Sequence, residues 1–139
     1  MIKNLATIIS EKIIFDASNK VSYINCFDIV HGKVLPVTFG PFTVSSEWLK
    51  ETSQDYFGLM EFLIVSPNGE EKSVTKDEFI MKKNRHRLNF QFGACCFEQF
   101  GMYKFIFRIF NRDNMLASEA VAYIDVQQGT NVAEMPKQG

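Results

Sequence analysis

Strict alternation of apolar and polar residues is the feature that most constrains this chain. In "FTVSSEW", Phe42, Val44 and Trp48 share one parity, and Thr43, Ser45 and Glu47 share the other. "RLNFQF" repeats the pattern with Leu88, Phe90 and Phe92. A strand turns successive side chains to opposite faces, so a period of two predicts a half-buried strand. "YFGLMEFLIV" and "YKFIFRIF" are denser apolar runs of strand length, and "MLASEAVAYIDV" reads as the last strand. Turn chemistry separates these runs at "SNK", "HGK", "SPNGEE" and "NRDN", where short polar side chains bond their own backbone. In "SPNGEE", Pro67 presets the first corner and Gly69 supplies positive φ, which makes "EKSVT" the return arm of a hairpin.

The remaining segments fit the same class. "KIIFDA" is a short strand, while Met1 to Glu11 stays open between strand, short helix and loose arm. "KVSYINCFDIV" carries Val21, Tyr23, Phe27 and Ile29 on one parity and Ile24, Cys26 and Val30 on the other, a pattern that suits a strand covered on both faces. "VLPVTFGPF" holds Pro36 and the Gly40-Pro41 step, so it is expected at an edge, with a bend. "KETSQD" is a polar loop and "KDEFIMKKNRHR" a charged connection. Seven to nine short strands, no long helix and no internal repeat predict an all-β fold with mainly antiparallel pairing. A sandwich buries two apolar faces against each other with a chain of this length. One domain is expected over residues 1–126. A polar tail from Gln127 to Gly139 is expected to be poorly ordered.

Composition narrows the function classes. Aromatic residues make up 14% of the 139, with fourteen Phe against one Trp, which favours strands. The net charge of -1 provides no global field for nucleic acid or anionic membrane. No apolar run reaches the roughly 18 residues that span a bilayer, and the opening residues lack a secretory pattern. Three cysteines at irregular spacing do not form a disulfide framework. The reading is a cytoplasmic chain with reduced thiols and no cofactor.

"NFQFGACCFEQFGMYKFIFRIF" poses the sharpest chemical question. On an extended strand Cys95 and Cys96 point to opposite faces, and neighbouring Cα atoms ~3.8 Å apart sit below the usual disulfide range. Neither His31 nor His86 lies at ligand spacing from the pair, so no metal site is read there. The two thiols are expected to be small buried hydrophobes near a strand end. Five positions on, Gly-x-Tyr places Tyr103 at a strand entry, as in the tyrosine corner of immunoglobulin-like sandwiches; an ordinary strand tyrosine is the alternative.

Other constellations are weaker. Lys82, Lys83, Arg85 and Arg87 flank His86 in a basic stretch; a solvated loop or interface rim is favoured over a phosphate site. The aspartates are scattered singly, against a calcium loop. No Gly-x-Ser-x-Gly elbow, P-loop or dinucleotide fingerprint occurs. Glu47 and Glu61 are a candidate cross-strand carboxylate pair. Phe39, Phe42, Trp48, Phe97 and Phe100 lie beside Gly, Pro or loops, and they either form an exposed apolar patch or cap the ends of the core.

"IIFDASNKVSYINCFDIVHGKVLP", then "LIVSPNGEE", then "NFQF" and "FEQFGMYKFIFRIFNRDNMLASEAVAYIDV" together resemble a family of small bacterial and phage-associated proteins of unknown function. The resemblance runs from about Ile13 to Val126 and rests largely on turn chemistry. It implies an immunoglobulin-like antiparallel β-sandwich and carries no catalytic residue. Cys95-Cys96 and the basic Lys82 to Arg87 connection depart from the family's usual pattern.

The sequence therefore predicts a non-catalytic binding module for a protein partner, or for its own copy through the proline-flanked edge. Two rivals remain. One is a small-molecule or carbohydrate binder with Trp48 on a concave face. The other is an enzyme with His31 or His86 near a carboxylate or Cys96.

Overall fold

The computed structural model describes residues 2–18 and 20–129, and these hold eleven strands and no helix. Eleven exceeds the expected seven to nine because short segments read as turns or bends also pair. In chain order the strands are Ile2–Phe15 (β1), Val21–Cys26 (β2), Ile29–Gly32 (β3), Val37–Phe39 (β4), Phe42–Lys50 (β5), Tyr56–Val65 (β6), Glu71–Met81 (β7), Arg85–Phe92 (β8), Cys95–Phe97 (β9), Gly101–Phe110 (β10) and Leu116–Gln128 (β11).

The strands form a four-stranded sheet ordered β2-β1-β5-β8, a five-stranded sheet ordered β3-β11-β10-β6-β7, and the pair β4-β9. All pairings are antiparallel except β3 beside β11. Alternation gives each large sheet one apolar face. Phe42, Val44 and Trp48 of β5 meet Phe62 of β6 and Phe105, Phe107 and Ile109 of β10 in one buried cluster. Phe62 stacks on Phe90 across the layers at 4.4 Å between ring centres, and Phe42 meets Phe105 edge-on at 6.1 Å.

Three hairpin turns share one device, a side-chain oxygen that collects backbone N–H groups. Asp16 accepts from Ser18 and Lys20 at 2.8 and 2.9 Å. Asn68 accepts from Glu70 at 3.1 Å, and Asn111 accepts from Asp113 and Met115 at 3.0 Å each. Pro67 fills the first corner of its turn, and Gly69 has φ +87°.

Of the alternatives open for the first residues, a long strand is found from Ile2 onward, because Ile2 to Ser10 pair with β5. Other expectations need correction. The charged connection between β7 and β8 contracts to Lys82–Asn84, since β7 runs to Met81 and β8 begins at Arg85. β11 extends through Gln127 and Gln128, which pair with His31 and Gly32. Those two residues of the expected tail are therefore strand, and the part of that expectation that falls on residues 130–139 lies outside the described residues.

The β1–β2 hairpin does not continue its sheet in a straight line. Arg87 pairs with Glu47, which pairs with Ala6. A straight strand rising about 3.3 Å per residue would carry Phe15 roughly 30 Å past Ala6. Yet the Arg87 guanidinium lies 5.9 Å from the Phe15 ring centre. The hairpin therefore bends back over the outer face of β5 and β8. Ile13, Val21 and Tyr23, on the same hairpin face as Phe15, are half-buried, while Ile14 and Ile24 on the other face are exposed. Beneath it Ser10, Thr43 and Ser45 are buried; their small side chains leave room for the covering layer.

Candidate functional site

The ribbon formed by β5 and β8 keeps its register into β4 and β9. Phe42 faces Phe92, and three residues outward Phe39 faces Cys95, followed by Thr38 with Cys96 and Val37 with Phe97. Gly40 and Gly93 sit at the break between the two pieces. A Cβ on Gly40 would come within 2.4 Å of the Gly93 carbonyl oxygen, so only glycine permits this close crossing. Beyond it, Phe97 is fully buried and meets the Tyr103 ring edge-on at 4.9 Å. The Tyr103 hydroxyl accepts from the Gln99 N–H at 3.0 Å. Gln99 in turn accepts from the Asn68 N–H at 3.2 Å, which ties this corner to the β6–β7 turn.

On the other side of β9 the edges of the two large sheets stand apart. β7 is the edge of the five-stranded sheet and β8 the edge of the four-stranded one. They are joined at Lys82–Asn84, and at their far ends a cleft of about 770 Å³ lies between β7 and the β8–β9 ribbon. Ile64, Phe92 and Tyr103 supply apolar floor; Lys72, Val74 and Cys95 line its sides; Glu70, Glu71 and Glu98 are acidic lining groups. Val74 is the extra residue of a bulge, since Phe62 pairs with Thr75 and Leu63 with Ser73. Edge bulges re-aim a side chain and bend the strand.

The expected burial of both thiols needs correction: Cys95 and Cys96 face opposite sides of β9, which leaves Cys96 exposed and Cys95 half-buried. Burial, with the neighbouring Cys96 adding to it and Lys72 opposing, pushes the Cys95 thiol up to about 11. It is protonated at neutral pH, so it lines the cleft as a weakly polar hydrophobe and lacks thiolate character.

The aromatic residues singled out from sequence divide. Phe42, Trp48 and Phe97 are fully buried and cannot form a surface patch. Phe42 and Trp48 occupy the inward parity of an interior strand of their sheet, and Phe97 faces Val37 beneath the corner. Phe39 and Phe100 are half-buried against the core. Apolar surface is found elsewhere: Phe57 and Ile80 face each other across β6 and β7 on the outer side, with the Arg112 guanidinium 4.7 Å from the Phe57 ring centre.

The basic stretch is likewise split. Arg85 and Arg87 belong to β8, and both reach Glu47, Arg87 at 3.9 Å. Lys82 and Lys83 lie in the turn, and neither has an ion pair among the described residues. Glu47 and Glu61 are not a carboxylate pair, for they occupy the outer faces of different sheets. Glu61 faces Arg108 at 4.0 Å and accepts from Ser73 at 3.0 Å.

The histidines do not join the cysteines. His31 lies on β3, at the opposite edge of its sheet from β7. His86 pairs with Trp48 and meets Phe79 edge-on at 5.2 Å; burial lowers its pKa from the usual 6.5. Among the described residues no three His, Cys, Asp or Glu side chains converge in a metal-holding group. No helix among the described residues is long and apolar enough to cross a membrane.

The cleft residues Ile64, Lys72, Val74 and Glu98 were not singled out from sequence. Ile64, Lys72 and Val74 belong to the β6–β7 hairpin and Glu98 follows β9; the two pieces meet only on folding, and the bulge at Val74 has no local sequence mark. No protein-family model matches the chain, and no curated protein matches it.

Proposed function

We propose that this chain is a non-catalytic binding module on an immunoglobulin-like β-sandwich, and that it engages a protein partner at the cleft between β7 and β9. The observation that carries the reading is the cleft itself: an apolar floor opening between two sheet edges, with polar groups around it and a protonated thiol inside. Such a composition suits recognition. The immunoglobulin-like assignment draws support from β1 lying antiparallel beside β5 while β3 lies parallel beside β11, so that the opening segment contributes to both sheets. The Tyr103–Gln99 bond supports it further, as a tyrosine corner does in that fold. The resemblance to the small bacterial and phage-associated family points the same way.

The reading is tested by immobilising the chain and its Val74→Trp variant, which fills the cleft, and comparing what each retains from a native lysate. A protein held by the first and lost by the second supports the proposal. Equal retention, or none, overturns it. Light scattering over a concentration series separates partners from copies, since a constant mass of 16.0 kDa removes self-association.

A further inference from the structure

We infer that the partner segment is an extended, basic peptide that adds as a strand to the first half of β7. This rests on the binding-module reading above and names its ligand class. The Glu70 carbonyl accepts from the Ser66 N–H at 3.0 Å. Bonded residues alternate along an antiparallel ladder, so Lys72 is the next β7 residue bonded to β6. The N–H and C=O groups of Glu71 and Ser73 then point away from β6, toward the open side. They are the backbone groups that an added strand uses. The bulge at Val74 ends this free stretch and turns the strand, which confines pairing to a short segment.

The lining charges choose the ligand's sign. Glu70, Glu71 and Glu98 stand against Lys72 alone, and Glu71 is shared with Arg108 at 3.5 Å. The remaining excess is negative and favours lysine or arginine side chains at the mouth. Alternate residues of an extended peptide face opposite ways. One set can therefore lie on Ile64, Phe92 and the Cys95 thiol while the other meets the glutamates.

The probe is a short capped peptide alternating lysine with valine, set against one alternating glutamate with valine, each titrated into the isotopically labelled chain. The lysine peptide is expected to shift the Glu71 and Ser73 amides and slow their exchange, with at least about tenfold tighter binding than the glutamate peptide. Ser73→Pro removes an outward N–H that the fold does not use, as proline is tolerated at such edge positions. Glu98→Gln keeps the backbone and removes charge. The first should abolish the exchange protection, and the second should narrow the preference between peptides. Unchanged Glu71 and Ser73 amides at about 1 mM peptide, or equal affinity for both peptides, would overturn the inference. A lysate partner retained equally by the wild-type chain and Ser73→Pro, but lost with Val74→Trp, would leave the module standing and remove strand addition.

Discussion

β5 and β7 are of similar length, nine and eleven residues, and have opposite fates. Every residue of β5 is buried or half-buried, whereas eight of eleven in β7 are exposed. β5 has a neighbouring strand on each side, the facing sheet within and the folded-back hairpin without. Among the described residues β7 has one neighbouring strand and an open flank. Burial therefore follows the position of a strand in its sheet as much as its own pattern. One strand becomes the anchor of the core, and the other leaves backbone groups available for recognition.

The contrast is broken most directly at Trp48. It is fully buried, and its indole N–H donates to the Ser46 hydroxyl at 2.7 Å. Trp48→Ala should cost about 3–5 kcal/mol, while Val74→Ala on β7 should stay within about 1 kcal/mol; urea unfolding of both measures the gap. Equal costs would mean that the edge is packed as tightly as the centre.

Lys50 closes the buried end of β5. It is 1% exposed, and its ammonium donates to the Thr52 and Gln54 carbonyls at 3.3 and 2.9 Å. Lys50→Met keeps the stem but leaves both carbonyls without this donor, and should cost about 2 kcal/mol. Replacement of Lys72 at the cleft should leave stability nearly unchanged in the same assay.

Tyr103→Phe sharpens the comparison at the corner beside the cleft. Its packing on Phe97 remains, but the Gln99 N–H loses its acceptor. A loss of about 1 kcal/mol is expected, with faster exchange of the Gln99 amide and little change in the β5 amides.

The smallest effect concerns pH. Because burial lowers the folded pKa of His86, the unfolded chain binds this proton more readily. The contribution is fully present above the ordinary value of 6.5 and is lost as pH falls below it. Unfolding midpoints should therefore drop on acidification through that range, and His86→Phe should flatten this part of the profile. An unaltered profile would mean that His86 is solvated when folded.

Much of this architecture is legible in the sequence because it is local. Alternation in "FTVSSEW" and "RLNFQF" places the inward side chains of β5 and β8. Pro67 and Gly69 specify their turn, and the period of two sends Cys95 and Cys96 to opposite faces. The outward reading of Phe42, Trp48 and Phe97 failed because neighbouring glycines and loops say nothing about which strand lies between two others. The hairpin over β5, the register carried past Gly40 and Gly93, and the bulge at Val74 arise from pairings between residues far apart in the chain. Strand order is such a pairing: the apolar period of a strand is fixed by its own residues, but its neighbours are chosen by what the rest of the chain can bury. The sequence by itself determined an all-β chain, its main turns and which side chains share a strand face. Only the tertiary structure decided that two sheet edges remain apart and enclose a cleft.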